Sequence, residues 1–330
     1  MKYFITGATG FVGGRVAEIL REKNHEVIEV VRDPKKAEEL KHYGVTIIKG
    51  DVTDKESMRE AMRGCDGVFH IAGWYKVGVR DKSPGQKINV EGTRNVLGLM
   101  KELKIPKGVY TSTLAVNSDT HGILADESYH FSGKHLSEYD RTKAEAHDIA
   151  KEFINNGLPL VIVMPGLIYG PDDTSMSGDS MRQYLQKKLP MLPKKSAYCW
   201  AHVDDVAMAH WLAMEKAKPG ETYIICGPPH TLTEAYTIAE KITGIRKPLF
   251  IPPALLKFSA AFASVIERFI PLPELYSSET LRITAGVTYL GNNSKAKRDL
   301  GYQPRSLEEG LQETLPYELN LLKEKKKKSH

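Results

Sequence analysis

Tyr139 and Lys143 stand four residues apart in Tyr139-Asp140-Arg141-Thr142-Lys143, so on a helix a phenol and an ammonium share one face. A positive charge within a few Å favours phenolate and draws a tyrosine pKa down toward working pH, making it a general acid or base. That pairing alone is common on solvated helices. Upstream, Val109-Tyr110-Thr111-Ser112-Thr113 closes an apolar strand with a cluster of hydroxyls. A hydroxyl there can hydrogen-bond a carbonyl oxygen while the tyrosine protonates it. At the start of the chain, Lys2-Tyr3-Phe4-Ile5 runs into Thr6-Gly7-Ala8-Thr9-Gly10-Phe11-Val12-Gly13. Glycine permits the tight strand-to-helix turn and lets backbone N–H groups approach a pyrophosphate.

The elements around these residues fit that chemistry. The amphipathic run Val12 to Lys23 and the apolar Glu26–Val31 complete one β-α-β unit with the glycine turn. Further strand-like runs at Thr46–Lys49, Gly67–Ile71, Gly108–Thr111 and Leu160–Val163 alternate with helical ones near Lys55–Met62, Ile88–Leu103 and Ser137–Ile154. This alternation predicts an α/β fold, a Rossmann-type doubly wound parallel sheet with ligands outside the carboxyl ends of its strands. After Pro165 the chain breaks into short Pro- and Gly-punctuated elements, which predicts a smaller C-terminal substrate-binding domain. His202-Val203-Asp204-Asp205-Val206-Ala207 opens a helix that returns to the first domain. The expected boundaries are 1–165 and 199–226 for the dinucleotide-binding domain, 166–198 and 227–318 for the lid, and 319–330 for a disordered basic tail.

Composition narrows the function classes. Hydrophobic residues at 41% and charged residues at 26% are ordinary for a globular protein. Lys323–Lys328 supplies +4 of the formal +5, so the body is near neutral and nucleic acid is not an expected partner. The tail reads as a solvated, frayed end, with contact to an anionic surface a distant second. Cys65, Cys199 and Cys226 form no C-x-x-C, which suggests neither a disulfide framework nor a metal site and fits a reducing cytoplasm. No run approaches the length of a membrane span. The nearest, Ala254 to Ile270, carries Lys257, Glu267 and Arg268 and reads as an amphipathic helix over a core, a pocket or a partner, in preference to a membrane surface.

Seven segments, in order and spacing, resemble the extended short-chain dehydrogenase/reductase family, whose members are grouped as NAD-dependent epimerase/dehydratase-like. They are the Gly7/Gly10/Gly13 turn, His70-Ile71-Ala72-Gly73, Asn89-Val90-Glu91-Gly92-Thr93, Thr111-Ser112-Thr113, Tyr139-x-x-x-Lys143, Pro165-x-x-x-Tyr169-Gly170-Pro171 and His202–Ala207. The resemblance implies that Tyr139 is the acid/base, that Lys143 holds the nicotinamide ribose and lowers the tyrosine pKa, and that Thr113 polarises the substrate oxygen. Ser112 is the backup for Thr113, and Asn89 takes a structural or proton-relay role. The implied cofactor contacts are Gly7, Thr9, Gly10, Phe11, Val12 and Gly13 at the turn, Asp51 and Val52 at the adenine, and Ala72, Gly73, Lys143 and Pro165 further along.

The second strand speaks to the cofactor. An NAD-preferring turn ends it in Asp or Glu, whereas here Val31 holds that place and Arg32, Lys35 and Lys36 follow. This favours NADP over NAD, with Arg32 and Lys36 beside the 2′-phosphate. Leu114-Ala115 stands where the family's dehydratases carry Asp-Glu, and Met164 where its epimerases commonly carry Arg. The chain is most similar to the dihydroflavonol 4-reductase-like branch, which implies reduction of a ketone or aldehyde of a small, largely apolar substrate. Trp74, Tyr75, Tyr129, Phe131, Met176 and Met181 are expected in loops rimming the cleft. The alternatives are a nucleotide-sugar epimerase with tightly bound NAD and, third, a non-catalytic NADP-sensing regulator. The resemblance also implies a homodimer through the helices at Ile88–Leu103 and Ser137–Ile154.

Overall fold

The computed structural model describes residues 1–267, 269–270, 272 and 277–328. Its strands are β1 (Lys2–Thr6), β2 (Glu26–Val31), β3 (Thr46–Lys49), β4 (Gly67–His70), β5 (Gly108–Thr111), β6 (Leu160–Pro165), β7 (Leu167–Tyr169), β8 (Met191–Pro193), β9 (Ala197–His202), β10 (Thr222–Ile225), β11 (Pro229–Thr231), β12 (Leu249–Ile251) and β13 (Thr288–Tyr289). The helices are α1 (Phe11–Glu22), α2 (Glu38–His42), α3 (Lys55–Met62), α4 (Gly92–Glu102), α5 (Glu138–Asn155), α6 (Met176–Leu185), α7 (Val203–Lys216), α8 (Leu232–Thr243), α9 (Pro253–Ile266), α10 (Ser278–Thr284), α11 (Ser294–Leu300) and α12 (Leu307–Lys328).

A seven-stranded parallel sheet in the order β10-β6-β5-β4-β1-β2-β3 forms the larger layer system. β1, β4, β5 and β6 are buried almost end to end because helices cover both faces, which is why they read as unbroken apolar runs. The strand order reverses between β1 and β4, and the crevice that opens there is where an open α/β sheet binds ligands. In register, Thr6 pairs with His70 across this switch point.

A second hydrophobic core, called the lid below, gathers Tyr169, Tyr184, Tyr236, Leu311 and Leu315, and it takes in Trp200 from the 199–226 segment expected in the dinucleotide-binding domain. The lid contains the β11-β9-β13 sheet with β7 beside β9, and the β8–β12 ribbon. Two details depart from expectation. The segment before α4 is a π-helical turn, Gly85–Glu91, so the predicted helix at Ile88–Leu103 starts earlier and changes pitch inside. The expected frayed tail is helical as far as Lys328, because Leu319 and Leu322 still pack on the lid core and the Lys/Glu run beyond them favours helix. Residues 329 and 330, and Arg268 of the predicted Ala254–Ile270 helix, lie outside the described residues.

Candidate active site

A cavity of about 1550 Å³ runs from the carboxyl ends of β1 and β2, past β4 and β5, to the underside of the lid. Pockets for one small ligand span roughly 300–1,000 Å³, so this one has room for a dinucleotide and a substrate together.

The dinucleotide end is built by α1. Gly10 caps the helix without a side-chain hydrogen bond, and no acidic residue stands in the first turn, so the orphan N–H groups face the cavity open to an anion. Gly7 has φ +86°, and a Cβ there would lie 2.7 Å from Ala72 N. A Cβ on Gly13 would lie 2.1 Å from Gly7 O, so α1 packs against the turn only with glycine in that place. Thr9, Phe11, Val12, Asp51, Val52, Ala72, Gly73 and Pro165 all line the cavity with them. Asp51 Oδ1 accepts from Thr53 N and Oγ1, both at 2.9 Å.

Arg32 and Lys36 also line the cavity, are exposed, and make no ion pair among the described residues. Asp33 is occupied capping the next turn through Lys35 N. Beneath the glycine turn lies Glu29, which sequence reasoning passed over. Its Oε1 accepts from Gly7 N at 3.1 Å and Ala8 N at 3.0 Å, while Oε2 is buried with no partner. Burial holds this carboxyl well above the usual range, the two N–H bonds opposing. The signal was an acidic residue inside the apolar run Val27–Val31.

At the other end Tyr139 and Lys143 project from α5 and Thr113 follows β5. The Thr113 hydroxyl stands beside the Tyr139 phenol on the cavity wall, close enough to favour its phenolate form. Ser112 also lines the cavity, but its Oγ is engaged, lying 2.8 Å from the buried His147 Nδ1. Lys143 is buried, and its Nζ donates to Thr111 O at 2.7 Å and to Tyr110 Oη at 3.3 Å. The expectation that Lys143 lowers the Tyr139 pKa is corrected here. Burial raises Tyr139 to about 12, against the opposing influence of the Thr113 hydroxyl, and burial lowers Lys143 to about 7. With the ammonium turned to the end of β5, desolvation of the phenol outweighs attraction by that charge.

Lys143 ends a buried polar chain that the sequence did not reveal. Thr6 Oγ1 lies 2.8 Å from His70 Nδ1, His70 Nε2 lies 3.0 Å from Thr93 Oγ1, and the Thr93 hydroxyl stands beside the Tyr110 phenol that Lys143 meets. Burial lowers His70 to about 3, so the imidazole is neutral. Asn89 is saturated: its Oδ1 accepts from Trp74 N at 2.7 Å, and its Nδ2 donates to Trp74 O and Thr142 Oγ1, both at 2.9 Å. It therefore pins the Ala72–Trp74 wall.

Trp74, Tyr75, Met176 and Met181 line the cavity as expected, the two methionines from α6 rather than from loops. Tyr129 and Phe131 do not line it; Phe131 packs against His135 instead. The lid adds Tyr289 of β13, whose Oη donates at 3.0 Å to Asp140, the neighbour of Tyr139 on α5. Burial raises this carboxyl to about 7. Glu279 of α10 ties the lid to the site, accepting from Glu138 N at 2.6 Å and Gly78 N at 3.1 Å and pairing with Lys82 at 2.8 Å.

Residues 3–226 match the model of the NAD dependent epimerase/dehydratase family. The chain belongs to that family. Among relatives, the Synechocystis sp. protein named "Putative dihydroflavonol 4-reductase" is 30% identical over 94% of this chain and 92% of its own length. A 2-alkyl-3-oxoalkanoate reductase of Stenotrophomonas maltophilia is 30% identical over 94% and 97%. The crystal structure of gox2253 superposes with a TM-score of 0.83 at 29% identity, covering 96% of this chain and 97% of that one. The family and its reductase relatives make the protein an NAD(P)-dependent oxidoreductase or epimerase, and bear out the resemblance read from the sequence. No helix among the described residues is long and apolar enough to cross a membrane.

Proposed function

We propose that the protein is an NADP-dependent reductase of a ketone or aldehyde on a largely apolar substrate, with Tyr139 as proton donor. The observation that carries this reading is the placement of the Thr113 hydroxyl beside the Tyr139 phenol on the wall of one cavity, where its dinucleotide end meets its lid end. Bound NADPH supplies a hydride to the carbonyl carbon. The chain's own groups do the rest. Thr113 and Tyr139, neighbours on the cavity wall, would hold the carbonyl oxygen between their hydroxyls, and Tyr139, protonated across the physiological range, would give that oxygen its proton. Lys143 holds the ribose hydroxyls at the end of β5. Ser112, fixed by His147, takes no part.

The glycine turn and the uncapped α1 N-terminus suit the diphosphate, and the free Arg32 and Lys36 suit a 2′-phosphate. The lid wall of Met176, Met181, Leu192, Ile251 and Leu256 suits an apolar substrate. The names of both relatives are those of reductases, which supports the same reaction class here. A homodimer through α4 and α5 and a cytoplasmic location belong to this proposal.

Mass identification of nucleotide released on denaturing the purified protein, with titration of the emptied protein by NADPH and NADH, tests the reading. A preference for NADPH supports it. Stoichiometric, tightly held NAD overturns it in favour of an epimerase that keeps its cofactor through the cycle.

A further inference from the structure

α9 buries Leu256, Ala260 and Ala263 and turns the opposite face to solvent. That face carries Leu255, Phe258, Phe262 and Val265, at alternating spacings of three and four residues, with Phe258 72% and Phe262 63% exposed. Single exposed apolar residues are ordinary, but a helix-long stripe of them marks a contact surface. The patch does not end with the helix. Leu249 and Met191 are register partners in the β12–β8 ribbon and both are exposed, Leu249 by 68%. Lys194 N bonds Ile251 O at 2.8 Å, which fixes the end of β8 beside the start of α9.

Two further facts say what covers it. Met191 and Leu255 line the cavity while remaining exposed, so the stripe reaches the cavity's mouth. The two segments that form this region, 187–196 and 246–262, contain Lys187, Lys188, Lys194, Lys195, Arg246, Lys247 and Lys257 and no Asp or Glu. Of these seven, only Lys247 has an ion pair among the described residues, with Glu240 at 3.8 Å. A symmetric contact with a second copy would set these unpaired cations against one another. An acidic lipid surface offers both complements, hydrocarbon for the aromatic stripe and headgroup charge for the lysines.

We propose that the outer face of α9 and the β8–β12 ribbon dock on an anionic lipid surface, holding the cavity mouth against the bilayer so that an apolar carbonyl substrate passes from lipid into the site. What passes through the mouth rests on the reductase reading; the docking does not, and it is measured without turnover.

The test is co-sedimentation of the full chain with vesicles of phosphatidylcholine alone or mixed with phosphatidylglycerol. The protein is expected to sediment with the acidic vesicles. Phe258→Ser/Phe262→Ser and Lys194→Glu/Lys195→Glu should each weaken that partition by about tenfold or more, with melting temperatures unchanged. Three results overturn the proposal. One is a protein that stays in the supernatant with acidic vesicles at low ionic strength. Another is a phenylalanine variant that binds them as well as the parent, which assigns the attraction to the lysine tail. The third is a solution dimer, seen by sedimentation velocity, that the phenylalanine variant dissociates, which assigns the face to a second copy.

Discussion

Ser112 Oγ lies 2.8 Å from His147 Nδ1, and this bond separates two adjacent hydroxyls that the sequence leaves equivalent. Ser112 is engaged by the buried His147, while Thr113 stands beside Tyr139. Thr113→Val should therefore lower kcat by about a hundredfold, the usual cost of removing one donor aimed at a developing oxyanion. Ser112→Ala should leave kcat within about threefold and cost about 1–2 kcal/mol of stability, because it strands a buried imidazole nitrogen. Steady-state kinetics beside denaturant titration checks the pair.

Arg32 is exposed on the cavity wall with no ion-pair partner among the described residues. Arg32→Ala should raise the KM for NADPH by about tenfold or more and leave that for NADH nearly unchanged, since only the 2′-phosphate loses a charge-assisted bond. Equal effects on the two cofactors would show that Arg32 does not read that phosphate.

Glu29 accepts the N–H groups of Gly7 and Ala8 from below the turn. Glu29→Ala leaves both donors buried and unpaired and should cost about 2 kcal/mol or more. Glu29→Gln keeps an acceptor and should fold normally. The parent carboxyl is raised well above its ordinary value, so the folded state binds the extra proton and the parent loses stability as pH rises through the folded-state value. The glutamine variant should lack that slope in melts recorded across pH.

Asp140 is raised to about 7 by burial, so between the ordinary carboxylate range and about pH 7 the folded chain binds more protons than the unfolded. Its contribution is fully present below about pH 4 and lost by about pH 8. Asp140→Asn should therefore gain several degrees of melting temperature relative to the parent across that interval, while retaining an acceptor for Tyr289.

The parallel sheet and the glycine turn were legible because buried strands and a helix N-terminus impose local patterns, such as the apolar run Leu160–Val163 and the spacing Gly7/Gly10/Gly13. Tyr139, Lys143 and Thr113 were legible through spacing. The chain Thr6–His70–Thr93–Tyr110 was not, because its members meet only when β1, β4 and β5 come into register. The direction of the Tyr139 shift was misread for a related reason. Spacing places Lys143 on the same helix face, but only the packed structure shows its ammonium turned to Thr111 O and the phenol desolvated.

If Tyr139 protonates a carbonyl oxygen while NADPH reduces the carbon, label and proton arrive on the same product. The most direct measurement is deuterium transfer from 4-deuterated NADPH to a panel of apolar ketones and aldehydes, read as product mass, for the parent and Tyr139→Phe. A deuterated alcohol is expected from the parent, in step with NADPH consumed. The variant should lose at least about a hundredfold of that rate, with NADPH binding retained. A variant that reduces the same substrate as fast as the parent would contradict that role for Tyr139.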